Sequence, residues 1–271
     1  MQFGFLSGPV LPFFPSLTLI SYVFSKKFFW KVWLAPKEFI FQLGDFILNN
    51  LDKRGLLYEG GIVEWTGYLP ATNMICAAGL LKVAKICDLL GDKDRKNRYL
   101  AAYDKIKNSL PLMFDNKRHT YVDIRYYLSK EKNKSSMKGT GIDTLFLWDT
   151  SVNFGFVWGY PDHKEAKLTN KFFNDKTTVL KGGLQYFEAP DPGLAAYGND
   201  AFFFTTAGGA QYEAKYGSKE KAKEYIDWMI LNSNTYGLMP ERIYLNESDC
   251  SPASPLSWCC GELAASILSV W

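Results

Sequence analysis

Carboxylates are the side chains this sequence best supplies for chemistry. Only two histidines exist, His119 and His163, too few for a His-rich metal site or a Ser-His-Asp triad. The five cysteines contain no Cys-x-x-Cys pair, so neither a zinc ribbon nor a disulfide scaffold is indicated. No metal and no cofactor is expected. What remains is acid–base work, and certain glutamates stand out by position. Three joints share one grammar, in which a helical pattern ends and Gly-Leu opens a longer loop: Gly55-Leu56, Gly183-Leu184 and Gly237-Leu238. Each loop soon carries a glutamate: Glu64 (after Glu59), Glu188 and Glu241. A lone glutamate in a Gly-rich loop is ordinarily solvated, and Glu59 and Glu188 are read that way. Glu64 and Glu241 lie far apart in the chain, so only a fold can bring them together.

The elements that must do this read as amphipathic helices. After Pro36, which suits a first helical position, Phe39, Ile40, Leu43, Phe46 and Ile47 predict one apolar face. A second helix is expected from about Ala71 to Leu90, with Met74, Ile75, Ala78 and Leu81 inward and Gly91 as its stop. A third follows Asp92 and ends near Leu110-Pro111. Residues 115–140 look irregular, with strand-like alternation confined to short stretches such as Thr120 to Tyr127. Helices resume at about 143–159, 163–174, 200–216, 218–232 and 257–270. Leu90-Gly91-Asp92 and Tyr216-Gly217-Ser218 put a stop glycine directly before a capping side chain, the signature of an antiparallel helix hairpin. If tight and long links alternate, the long loops gather at one end. The chain is expected to be all-α, an array of helical hairpins with acidic loops on one face.

Composition agrees with a packed, ordered domain. The chain has 271 residues, 47% apolar and 22% charged, with a formal net charge of +3. Disorder is excluded, and a charge so near zero argues against a nucleic-acid-binding face. Aromatic residues reach 16%, with eight Trp and sixteen Tyr, which suits a sugar-stacking cleft or simply a large core. Met1 to Ser25 carries no charge and precedes Lys26-Lys27, the wrong order for a signal peptide. Pro9, Pro12 and Pro15 interrupt the same stretch, which argues against a spanning helix. The expectation is a cytoplasmic protein. On that ground Asn133-Lys134-Ser135 and Asn246-Glu247-Ser248 are chance matches to the glycosylation sequon. His119 and His163 are expected at the surface, and Cys259 and Cys260 as buried thiols on the last helix.

Two loops carry a resemblance. Asp52-Lys53-Arg54-Gly55-Leu56, then Gly61-Ile62-Val63-Glu64-Trp65, resembles the general-acid loop of the glucoamylase family, glycoside hydrolase family fifteen. Gly237-Leu238-Met239-Pro240-Glu241-Arg242, with Pro255-Leu256-Ser257-Trp258 after it, resembles that family's general-base loop and final helix. Between them, Lys181-Gly182-Gly183-Leu184-Gln185-Tyr186 and Gly198-Asn199-Asp200-Ala201-Phe202 resemble its third active-site loop and next helix. The likeness runs from about Lys31 to Trp271, in the family's order. It implies an (α/α)6 barrel, incomplete at the N-terminal side, over residues 31–271, with residues 1–30 as a separate apolar segment.

The resemblance also implies an activity. It is that of an inverting exo-α-glucosidase acting on α-glucan or α-glucoside oligosaccharides from the nonreducing end. Carried over by position, Glu64 is the acid and Glu241 the base. Trp65, Tyr68, Tyr186, Tyr197, Arg242 and Trp258 are candidate substrate contacts, with Tyr244 nearby. The flanking Val63 and Trp65 would desolvate Glu64 and keep it protonated. The departures from the family are specific. Trp65 stands where many members have a second acidic residue, and Asn199-Asp200 stands where a Pro-Trp pair is usual. The Arg-Asp pair that grips the terminal glucose in the family is not identifiable before Lys31. A trehalase of the same layout, and a catalytically silent carbohydrate-binding or interaction fragment, are the alternative readings. Whether the apolar N-terminal segment or a second copy of the chain covers an open ring stays undecided at this level.

Overall fold

The computed structural model describes residues 37–59, 67–128, 142–160, 163–180, 182–188, 198–245 and 253–271. The segment 1–30, Glu64, Trp65, Tyr197, Cys250 and both sequon asparagines lie outside the described residues. Eight α-helices lie within them, joined by short strands.

Helix α1 (Lys37–Asn49) buries Phe41, Gly44 and Ile47. The expected face is turned by about one residue, leaving Phe39 and Phe46 39% and 50% exposed. The cause is a close approach. A Cβ on Gly44 would stand 3.0 Å from the Tyr99 ring, so bare backbone admits that ring, which is fully buried. The Tyr99 hydroxyl donates to the Phe41 carbonyl at 3.2 Å and lies 3.1 Å from Asp45 Oδ1. Filling this space with a large aromatic outweighs burying two phenylalanines at the rim.

Four helices form an inner row, each packed on the next: α2 (Pro70–Leu89), α4 (Val152–Val157), α6 (Phe203–Tyr216) and α8 (Ser257–Val270). Three others, α3 (Lys93–Ser109), α5 (Lys164–Lys176) and α7 (Lys219–Leu231), lie outside it. Burial separates the two layers. Every residue of α6 from Phe203 to Glu213 is buried, the all-round covering of a helix enclosed by neighbours. Helix α2 is covered nearly as fully along Met74 to Leu80. Helix α3 instead buries a single stripe of Tyr99, Ala102, Ile106 and Ser109. Asp92 and Ser218 cap α3 and α7, accepting from the amides of Arg95 at 3.0 Å and Lys221 at 3.2 Å. The tight links at 90–92 and 217–218 are as expected.

The long links run from the end of an outer helix to the start of the next inner one, and they contain the strands. One sheet orders β1 (Gly67–Tyr68), β4 (Asp123–Leu128) and β5 (Ile142–Leu147). A hairpin pairs β2 (Phe114–Asp115) with β3 (Thr120–Tyr121). A third sheet orders β6 (Thr178–Val179), β7 (Gly183–Gln185), β8 (Ala201–Phe202) and β9 (Arg242–Ile243). The helix expected over 143–159 is therefore two elements, strand β5 and helix α4. A short apolar run suits either state, and antiparallel pairing with β4 from Asp123↔Leu147 to Leu128↔Ile142 decides it. Gly183 likewise sits in a strand rather than in a helix-ending turn.

His163 corrects another expectation. It is not a plain surface residue: its Nδ1 accepts from the Ala166 amide at 3.0 Å and caps α5. Its ring lies among Tyr121, Phe156 and Tyr160. Cys259 is buried and Cys260 half-buried, both as free thiols. Among the described residues no helix is long and apolar enough to cross a membrane.

Candidate active site

The loop carrying Glu64 and Trp65 leaves and returns at one point. Glu59 and Gly67 exchange two backbone hydrogen bonds, at 2.8 and 2.9 Å. Gly67 then pairs with Arg125 across β1 and β4. A Cβ at position 67 would stand 2.2 Å from the Ile124 carbonyl oxygen, so the strand seats here only with glycine. Glu59 is not simply solvated, because its carboxylate accepts from Thr72 Oγ1 at 2.6 Å.

The second loop is fastened to the first sheet. The Thr150 amide donates to the Tyr186 carbonyl at 2.8 Å, and its hydroxyl to the Gln185 carbonyl at 2.6 Å. Asp149 and Phe187 form a β-bridge. Glu188, also expected in solvent, pairs with Arg118 Nη1 at 2.6 Å, while Arg118 Nε reaches Asp115 at 2.7 Å. These bonds hold the strand-end carbonyls that a loop would otherwise give to water.

The third loop carries Glu241 and is held at its backbone. Its carbonyl accepts from the Phe203 amide at 3.1 Å, and its amide donates to the Ala253 carbonyl at 3.0 Å. Directly after it, Arg242 pairs with Phe202 across β8 and β9. Its guanidinium lies 5.6 Å from the Phe202 ring centre and 5.1 Å from that of Tyr244. Arg242 Nε lies 3.3 Å from Asp200 Oδ2, and the Leu245 amide donates to Asp200 Oδ1 at 3.0 Å.

Two sheets joined by one isolated bridge thus lead from the hinge of the Glu64 loop to the residue after Glu241. The path passes along β1, β4 and β5, crosses the Asp149–Phe187 bridge, and continues through β7, β8 and β9. The inner helices α2, α4 and α6 each start within a few residues of this belt, and just before α8 the Leu256 amide donates to the Met239 carbonyl at 2.9 Å. An aromatic shelf lines the belt. The Tyr186 ring packs on Phe202 at 5.2 Å and Phe204 at 4.9 Å, and Phe204 stacks on Trp258 at 5.2 Å. Trp258 is 44% exposed, in the first turn of α8.

Of the residues singled out from sequence, Tyr186 and Arg242 meet at Phe202, Tyr186 and Trp258 meet at Phe204, and Glu241 is held by its backbone to Phe203. Tyr68 packs differently. It is buried, its hydroxyl donates to Asp52 Oδ2 at 3.1 Å, Arg54 covers its ring at 4.3 Å, and Tyr58 meets it edge-on. Burial, then the Asp52 carboxylate, push the Tyr68 phenol up. Residues the sequence reading missed are Asp200, Phe202, Phe204 and a charged cluster of Asp123, Arg125 and Asp149. The signal for Asp200 lay in its departure from the family's Pro-Trp pair. That for Asp123 and Arg125 lay in their spacing of two, which puts both on one face of a strand.

The cluster is the strongest electrostatic feature of the belt. Arg125 donates through Nε to Asp123 at 2.7 Å and again through Nη2, which also reaches Asp149 Oδ2 at 2.8 Å. The three side chains are 2–4% exposed. Burial pushes Asp123 up to about 8, with the Asp149 and Glu59 charges adding to the rise and Arg125 opposing it. Burial also raises Asp149, against Arg125 and the Ser151 amide. Among the described residues no group of three His, Cys, Asp or Glu side chains is placed to hold a metal ion.

No protein-family model matches the sequence, and no curated protein matches it by sequence. Solved structures do match. A wild-type glycosidase superposes with a TM-score of 0.60 at 17% identity, over 83% of this chain and 57% of its own. A bacterial glucoamylase complexed with acarbose gives 0.58 at 19%, over 85% and 37%. The glucoamylase from Saccharomycopsis fibuligera gives 0.60 at 13%, over 84% and 59%. The chain thus spans less than two thirds of the length of each. The two helical layers, with short strands in the long links between them, have the fold of the glucoamylase-type helical toroid.

Proposed function

We propose that the chain is a glycoside hydrolase of glucoamylase type, an inverting exo-α-glucosidase with Glu64 as general acid and Glu241 as general base. The observation that carries this reading is the strand belt. It ties the hinge of the Glu64 loop to the Glu241 loop through the shelf of Tyr186, Phe204 and Trp258. Inversion requires one protonated carboxyl at the leaving oxygen and one carboxylate holding water on the opposite sugar face, roughly 6.5–9.5 Å apart. Two loops hinged on one belt suit that requirement. A partly exposed tryptophan suits stacking against the apolar face of a pyranose ring. The fold likeness to a glucoamylase complexed with acarbose supports an α-linked glucoside as substrate.

The reaction follows from these roles. Glu64 donates its proton to the glycosidic oxygen as the bond to the anomeric carbon lengthens. Glu241 takes a proton from the water that attacks from the other side, and β-glucose leaves first. The test is hydrolysis of maltose, isomaltose and trehalose by the purified chain, followed by NMR of the fresh product. Glu64→Gln and Glu241→Gln should each lower kcat by about 10²–10⁴-fold. Release of α-glucose first, or normal turnover by the Glu241 variant, overturns the assignment. Turnover of trehalose alone selects the trehalase reading.

A further inference from the structure

Buried charge usually needs a reason. Asp123, Arg125 and Asp149 sit at 2–4% exposure, and placing ions there costs several kcal/mol each unless they satisfy one another. Well-packed apolar residues could often stabilise such a site as well or better. What apolar residues cannot supply is direction. A guanidinium is a rigid planar fork, so carboxylates bonded to it are fixed in distance and angle.

The positions joined are informative. Arg125 is the residue paired with Gly67, at the hinge of the 59–67 loop. Asp149 is the residue bridged to Phe187, next to Tyr186. The Phe187 ring also lies 5.4 Å from the Arg125 guanidinium. Asp149 Oδ1 accepts from the Ser151 amide at 2.8 Å, which ties the joint to the start of α4. One arginine therefore bridges the seat of one loop and the seat of the next.

We infer that Asp123, Arg125 and Asp149 form a positioning unit that locks the hinge of the Glu64 loop to the Tyr186 loop, and so sets how the acid meets the sugar and the base. This inference rests on the glucosidase reading for its catalytic consequence, though not for the mechanical one. The charge count fits a locked joint. Two ionised aspartates with one arginine would leave a net negative charge in the core, beside Glu59 on one side and Tyr186 on the other. The raised value of Asp123 instead keeps one proton on the pair at neutral pH, so the unit is uncharged overall. Such a pair titrates as one unit. Above about pH 8 the proton leaves and Asp123 and Asp149 repel, with Arg125 between them and Glu59 adding to the repulsion.

The experiment uses the full chain and reads both consequences. Hydrogen exchange is followed for the amides of Glu59 and Gly67 in one loop seat, and of Thr150 and Glu188 in the other. Arg125→Lys keeps the charge and loses the fork, and it should speed exchange at both seats at least tenfold while the α7 amides stay protected. Asp149→Asn, a milder change, should do the same to a smaller degree. Asp123→Asn mimics the protonated acid. It should keep wild-type protection at pH 6.5 and, unlike the wild type, hold it at pH 9. Faster exchange confined to β4 and β5, or to one seat, overturns the inference. So does a wild-type response to alkali in the Asp123 variant.

With maltose as substrate, Arg125→Lys should lower kcat at least tenfold with KM changed less than threefold, and Asp123→Asn should extend the alkaline limb of the pH profile. A fall confined to KM overturns the catalytic part. Absence of any hydrolysis by the wild type would overturn the glucosidase reading and leave the exchange result to decide the joint.

Discussion

Arg242, the residue immediately after the candidate base, is paired with Asp200 at the start of the preceding strand, at 3.3 Å. Both side chains are largely covered, and Asp200 also holds the Leu245 amide. One carboxylate thus fixes both the flank of Glu241 and the turn after it. This gives a role to an aspartate that stands where the family resemblance calls for a tryptophan. It also turns Arg242 from a simple neighbour of Glu241 into half of a largely covered pair.

Removing Asp200 leaves Arg242 without that carboxylate and frees the Leu245 amide. Breaking one side of a buried pair costs about 3–5 kcal/mol. Asp200→Ala should therefore lower unfolding stability by about 3 kcal/mol in a urea titration, with a larger fall in kcat than in substrate affinity. A change under about 0.5 kcal/mol would show the pair to be a solvated surface contact.

Gly67→Ala places a Cβ 2.2 Å from the Ile124 oxygen and 2.8 Å from Arg125 Cα, both backbone atoms that cannot swing aside. Overpacking of this kind typically costs about 1–3 kcal/mol, and here it should also unpair β1 from β4. Gly261→Ala is the matched control. Nothing lies within 4 Å of its added Cβ inside α8, so it should raise stability by up to about 1 kcal/mol through helix propensity. Comparing midpoints of the two variants checks both statements.

Stability should fall as pH rises toward 8, and Asp123 should be the cause. Its value in the folded chain is about 8, against an ordinary 3.8. The folded state holds the extra proton between those limits, so the stabilisation is complete below the lower one and is lost as pH climbs through the upper one. Melting curves at pH 5, 6.5, 8 and 9 should show a declining Tm in the wild type. In Asp123→Asn the decline should shrink by at least about 2 °C. Parallel curves for the two proteins would refute the assignment.

Trp258→Ala removes the half-exposed member of the aromatic shelf. Aromatic contacts contribute about 0.5–1.5 kcal/mol beyond their area. On the glucosidase reading proposed above, the KM for an α-linked glucoside such as maltose should rise about three- to tenfold, with the Tm lowered only slightly. An unchanged KM would overturn a sugar-holding role for Trp258.

The sequence alone was enough for the repeating elements. Apolar periodicity, capping side chains at Asp92 and Ser218, and stop glycines at 91 and 217 are local signals. They specify helices and tight hairpins with little help from distant residues. The Gly-Leu loops and their glutamates are local too, and so is the family resemblance they carry. What only the tertiary structure decided is what those loops are fastened to. Ile142–Leu147 is apolar and short enough for either a helix or a strand, and its pairing with β4 is a long-range fact. The face of α1 depended on a tyrosine two helices away. Asp200 with Arg242, and Asp123 with Arg125 and Asp149, are charged residues that read as surface in a one-dimensional pattern. The spacing of two puts Asp123 and Arg125 on one face of a strand, but the meetings with Asp149 and of Arg242 with Asp200 join residues distant in sequence, and no local propensity reports them.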